Sequence, residues 1–284
     1  MYEERPSRLD GAVVWTRLTG PADPADSGTR PVLPDGCMDL IWADGTLLVA
    51  GPDTRAYVPG SPAHAYAGVR FAPGEAPSVL GTEASALRDR RVELADLWGA
   101  RAARRLADEV TGAADRAAAL EALVLRRAAD APAPDPLLRA VVARLGAGEP
   151  VGAVADAVGL GARQLHRRSL AAFGYGPKTL ARILRLRRAL DLVARGVPYA
   201  EAAHRAGCAD QAHLAREMRA LTGTTLTRHT ASVRSASFER SPSFERSASS
   251  VPSPSFERSP SFERSASSVP SPSSVPAASP ARSA

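Results

Sequence analysis

Arg163, His166, Arg167 and Arg168 crowd into one short stretch around Leu165. Guanidinium and imidazole groups on one helix face can donate hydrogen bonds to phosphates and to base edges. The chain shows no GxSxG, phosphate loop, metal pair or dinucleotide fingerprint that would give it a reaction instead. No catalytic residue, metal ligand or cofactor is therefore expected. The chemistry to expect is recognition.

The elements that would hold these groups lie in Val151 to Phe173, VGAVADAVGLGARQLHRRSLAAF. Val151, Val154, Ala155 and Val158 recur at helical spacing, and Gly159 stands where a first helix must stop. A second helix begins after Gly161 and turns a basic face outward. That is the helix-turn-helix pattern. It recurs in YAEAAHRAGCADQAHLAREMRALTG from Tyr199: Ala203 and Gly207 match Ala155 and Gly159 at a shift of 48, and Leu214 and Arg216 match Leu165 and Arg167 at a shift of 49. Between the units, PKTLARILRLRRALDLVARG reads as one basic, apolar-striped helix opened by Pro177 and closed by Gly196. A helix over Lys178 to Arg195 would span about 27 Å at roughly 1.5 Å per residue. It would hold two recognition helices about one DNA turn, roughly 34 Å, apart.

Charge follows the same division. Residues 1–134 hold 15 Arg against 19 Asp plus Glu, a net of −4, whereas residues 135–229 hold 14 Arg and one Lys against 7 acids, a net of +8. A basic surplus confined to the helix-turn-helix segment is the electrostatic footprint of phosphate contacts. Cys37 and Cys208 are too few and too far apart for a disulfide scaffold or zinc site. No stretch has the length of a membrane span or the form of a signal peptide, so a soluble, reducing, cytoplasmic setting without a membrane partner is expected.

The fold class expected is α+β. Residues 1–93 read as a small β-rich domain, sandwich or barrel-like, with VVWTRL, MDLIWA, TLLVAG and AYAGVRF as strands between turns. Residues 94–130 read as a helical extension broken near Thr111–Gly112. Its Leu106, Val110, Leu120, Leu123 and Val124 form either a core stripe, the default, or a dimer seam. Residues 131–136, APAPDP, are a stiff linker, and residues 137–230 an all-α domain of two helix-turn-helix units joined by a long helix. In the tail, 231–284, residues 237–254 repeat unchanged as 255–272; four SFER units in serine and proline read as disorder. Asp35, Asp39 and Asp53 read as turn-capping residues and His64 as a surface histidine.

Several marks together resemble the DNA-binding domain of AraC/XylS-type transcriptional regulators. They are AxxxGL at 155–160, LxR at 165–167, FGYGPK at 173–178, RLRRA at 185–189, AxxxGC at 203–208 and LxR at 214–216 followed by TG at 222–223. The N-terminal LPDGCMDLIW, AGPDT, GVRFAPGEAPSVLG and LRDRRVELADLWG resemble a domain of unknown function often found ahead of such domains. The resemblance implies control of transcription on double-stranded DNA, with RNA polymerase, a small-molecule effector and a second copy of the chain as further partners. It implies base contacts from Arg163, His166 and Arg167 in the first recognition helix and from Gln211, Ala212 and Arg216 in the second. Arginine can bond guanine bidentately, glutamine can read adenine, and alanine can touch a thymine methyl. Lys178, Arg182 and Arg219 are the phosphate candidates, and Asp210 reads as an N-cap.

This sequence departs from the family at Gly161, where Ser or Thr usually caps the helix, at Ser169 and Met218, where a large aromatic is usual, and at Leu226, where proline is common. Ser169 brings a hydroxyl into a packed face and needs a partner for it. Two other readings remain. One is an enzyme targeted to DNA, with Cys37 near Asp35 and Asp39 its only constellation. The other is an architectural protein whose helices pack on protein, which salt-dependent DNA binding by residues 135–229 would separate from a regulator.

Overall fold

The computed structural model describes residues 1–18, 31–59 and 63–235, and the side chains among them up to residue 231. The serine- and proline-rich repeats lie outside the described residues. Strands β1 (Tyr2–Pro6), β2 (Ala12–Leu18), β3 (Met38–Ala43), β4 (Thr46–Ala50) and β5 (Ala65–Phe71) come first, then helices α1 (Ala76–Leu80) and α2 (Ala84–Leu87) and strand β6 (Arg91–Glu93). They form one antiparallel sheet in the order β1-β2-β5-β3-β4-β6. The alternation in β3, buried at Met38, Leu40 and Trp42 and less so between them, sends one face of the sheet to the core. The layer that covers this face is helical rather than a second sheet.

That layer is α3 (Leu94–Trp98), α4 (Ala100–Gly112) and α5 (Arg116–Ala129). Val110, Leu120, Leu123 and Val124 belong to the same buried cluster as Leu40, Val69 and Phe71, with Leu106 packed against it. The apolar stripe of α4 and α5 is therefore core, the default reading of it. Glu121 is the buried charge of this layer. Its carboxylate accepts from Arg5 Nη2 (2.9 Å), Ser7 Oγ (2.8 Å) and the Arg8 amide (2.6 Å), which ties the N-terminal segment down. Burial opposes its ionisation, but these bonds outweigh it and hold the carboxyl down at about 2.

After residues 131–135 the helical domain begins: α6 (Pro136–Ala147), α7 (Val151–Ala157), α8 (Ala162–Phe173), α9 (Pro177–Ala194), α10 (Tyr199–Arg205), α11 (Gln211–Thr222) and α12 (Leu226–Ser235). It has its own core around Phe173, Leu180, Ile183, Leu186, Leu214 and Met218. Helix α12 runs on to Ser235, five residues past the domain end expected at 230. No proline or glycine interrupts it there, and Tyr199 reaches its Thr230 through a 3.1 Å hydroxyl bond. Among the described residues no helix is long and apolar enough to cross a membrane.

Candidate nucleic-acid interface

The helical domain contains the same local design twice. Helices α7 and α10 are each 7 residues long and start after a proline, while α8 and α11 are each 12 residues long. The turn is closed alike in both. Gly159 (φ 66°) and Gly207 (φ 80°) sit in the left-handed region that only glycine adopts without strain. The following amide then returns to the first helix, Leu160 N–H to Ala155 O and Cys208 N–H to Ala203 O, 2.9 Å each. Cys208 thus fills the apolar position beyond a Schellman turn that Leu160 fills in the first unit. It is a small hydrophobe there, and burial pushes its thiol up.

The two recognition helices start differently. Asp210 accepts from the His213 amide at 2.6 Å and so caps α11 as its sequence position implies. At α8 the N-cap is Gly161, which has no side chain to offer. Gln164 supplies half of a capping box by accepting from the Gly161 amide at 3.1 Å.

Packing then decides which side chains face outward. Leu165 and Leu214 are wholly buried against α7 and α10 respectively. With those anchored, Arg163, His166 and Arg167 on α8 and Gln211, Ala212 and Arg216 on α11 are all exposed, as are Lys178 and Arg219. Arg163, Arg167, Lys178, Arg216 and Arg219 form no ion pair with any described residue. His166 stands against the start of α9, where a Cβ on Gly176 would come within 2.7 Å of its ring. Arg182 is engaged within the protein by Glu217 at 2.8 Å, and Arg168 by Asp135 at 3.2 Å.

Behind this surface Ser169 and Met218 occupy the equivalent buried positions, both at 0 % exposure. Met218 fills its site with an unbranched apolar chain. The Ser169 hydroxyl has no hydrogen-bond partner, so the partner its burial demands is missing.

The N-terminal domain docks away from these exposed positions. Arg139 of α6 bonds Glu75 (2.6 Å) and Asp10 (2.7 Å), and Phe173 lies against Gly74. Arg88 donates to the carbonyl of Gly174, just beyond α8, and the Ala56 amide donates to Leu221 O near the end of α11. One domain therefore touches the C-terminal ends of both recognition helices. No sequence pattern points to these contacts, because the two ion pairs join residues 64 and 129 positions apart and the other two bonds end on backbone carbonyls.

The one catalytic constellation worth weighing, Cys37 near Asp35 and Asp39, is poorly set for a thiolate nucleophile. Cys37 is buried, burial pushes its thiol well up, and Asp35 beside it adds to the shift, so the thiolate a nucleophile needs is disfavoured. Asp35 accepts from the Cys37 amide and shapes the turn, as expected of it. Asp39 and Asp53 do not cap turns. Asp39 lies within β3 and pairs with Arg70 (3.2 Å) and the Trp15 indole (2.7 Å), while Asp53 pairs with Arg91 at 2.6 Å. His64 is a surface residue near Asp44.

Residues 154–231 match the family described as a helix-turn-helix domain, and residues 12–93 match a domain of unknown function, DUF6597. No curated protein sequence matches the chain significantly. Solved structures of ToxT from Vibrio cholerae are similar at low identity. One aligns at 7 % identity with a TM-score of 0.44, covering 81 % of this chain and 98 % of that one. Another, bound to (E)-4-(8-methylnaphthalen-1-yl)but-3-enoic acid, aligns at 9 % identity with a TM-score of 0.42, covering 82 % and 99 %.

Proposed function

We propose that the chain, whose residues 154–231 match a helix-turn-helix family and whose residues 12–93 match a domain of unknown function, is a sequence-specific DNA-binding transcriptional regulator of the AraC/XylS type reading two successive major-groove segments. The observation that carries this reading is the pair of exposed faces at matching positions of α8 and α11, whose Arg163, Arg167 and Arg216 have no ion-pair partner among the described residues. Unpaired guanidinium groups on the two recognition helices suit guanine edges and phosphates. Base contacts fall to Arg163, His166, Arg167, Gln211, Ala212 and Arg216, and phosphate contacts to Lys178 and Arg219. Arg182 would have to exchange Glu217 for a phosphate to join them.

The contacts of the N-terminal domain with both recognition-helix ends support effector control through that domain. RNA polymerase and a second copy of the chain are the remaining partners of a regulator built this way. The test is selection of bound sequences from random duplexes by the intact protein, followed by affinity measurements across salt. The reading expects a recovered site with two preferred segments about one turn apart and affinity that falls steeply with salt. Recovery of no preferred sequence would reject it.

A further inference from the structure

We infer that Arg188 is the positioning residue that fixes one helix-turn-helix unit against the other, and so sets the spacing between DNA segments that the protein accepts. The inference rests on the two-unit reading above. Helix α9 is shared: α6, α7 and α8 pack on it from one unit, α10 and α11 from the other. Apolar side chains supply most of that packing, and apolar helix contacts tolerate a spread of crossing angles. Something directional is needed to select one orientation.

Arg188 supplies it. Its Nη1 donates to the carbonyl of Gly146 in the last turn of α6, and its Nη2 donates to the carbonyl of Ala206, the C-cap of α10. Both acceptors are carbonyls at helix C-termini, where intrahelical partners run out and the helix dipole favours a cation. Each terminus turns on a left-handed glycine, and the one at Gly148 makes room for the guanidinium. A Cβ on Gly148 would lie 2.9 Å from Nη2, and one on Gly207 would lie 3.5 Å from it. The guanidinium is planar, so the directions of its two bonds are fixed relative to each other. Rotating α10 about α9 while α6 stays put would break one of them. Its Nε is buried without a partner, so the fork is the whole of its polar anchoring. The Arg182–Glu217 pair joins α9 to α11 and touches no helix of the first unit directly.

The experiment compares the intact wild-type protein with Arg188→Met and Arg188→Lys on the selected two-segment site. The duplexes carry that site at native spacing, with one or two base pairs inserted or removed, and with one segment alone. Methionine removes the fork while keeping an unbranched chain, and lysine keeps the charge without the fork. Both variants are expected to bind the single segment as wild type does. Preference for native over shifted spacing is expected to fall about tenfold in Arg188→Met and by less in Arg188→Lys. An equal loss on every duplex, or an undiminished spacing preference, overturns the role of Arg188. If Arg188→Met loses its helical signal, Arg188→Lys decides alone by the same criterion. A wild-type protein indifferent to spacing refutes the two-unit reading itself, and this inference falls with it.

Discussion

Ser169 gives the sharpest test of how the first unit is held together. Its side chain is fully buried in the face of α8 that packs on the rest of the unit, and its hydroxyl has no partner. In water that hydroxyl is hydrogen-bonded, so folding strands it, at a cost of roughly 1–3 kcal/mol by mutational comparison. Ser169→Ala removes the stranded oxygen and leaves the Cβ in place. Alanine also gains about 0.5 kcal/mol in helix propensity. Against this stands a void of about one oxygen atom, worth roughly 0.3 kcal/mol at the usual cavity cost. The net expectation is a gain of about 1–3 kcal/mol. For a folded unit of this size that raises Tm by about 3–9 °C. Urea melts of the intact chain, wild type against variant, measure it. DNA affinity should stay unchanged, since Ser169 lies behind the exposed face. A midpoint that is unchanged or lower would refute the reasoning, for it would mean that the hydroxyl is satisfied in solution and that its burial costs nothing.

Three further outcomes follow from the same geometry. Arg167→Ala and Arg216→Ala should each cost about 1–3 kcal/mol on the selected site and relax base preference at one position, whereas Lys178→Ala should weaken all sequences alike and flatten the salt slope; equal loss by Arg167→Ala on specific and random duplexes would count against base readout. Glu121 has its carboxyl lowered from 4.5 to about 2 in the folded chain, so its contribution is complete above the unfolded value, is lost as pH falls from about 4.5 towards 2, and amounts to about 3 kcal/mol at most. Glu121→Gln should therefore lower stability at pH 7 and flatten its decline over that acid window, and a variant that kept the wild-type acid profile would show that the Arg5, Ser7 and Arg8 contacts do little. Asp210→Ala should cost about 1 kcal/mol by uncapping α11, while Gly161→Ser should gain only a few tenths; thermal melts showing equal and small effects would mean that neither cap is formed in solution.

The strands that the sequence made legible are those with a half-buried alternation. VVWTRL, MDLIWA, TLLVA and AYAGVRF became β2 to β5 because each alternates or masses apolar residues toward one face. β1, YEERP, is an exposed edge strand whose charges carry no such pattern. β6 is three residues long and owes its place to pairing with β4. Helices α1 and α2, of five and four residues, are set by tertiary packing rather than by propensity. In the second half almost every boundary was readable, since proline openings and glycine closings recur there at fixed spacing.

The candidate interface divides along a similar physical line. Outward positions could be assigned because a buried leucine in a short helix fixes which residues face away from it, and Leu165 and Leu214 do this twice. The fate of each charged side chain could not be read in the same way. Arg167, Arg182 and Arg188 are one residue type in one basic segment, yet the first is unpaired, the second is engaged by a carboxylate on another helix, and the third is forked between two backbone carbonyls. A carbonyl acceptor has no letter in the sequence. What makes Arg188 different is that α6 and α10 both end beside it, and that depends on where glycines 148 and 207 turn two separate helices. RLRRA therefore marks a basic helix in the sequence, and only the packed domain separates an arginine left unpaired on the surface from one forked between two helix ends.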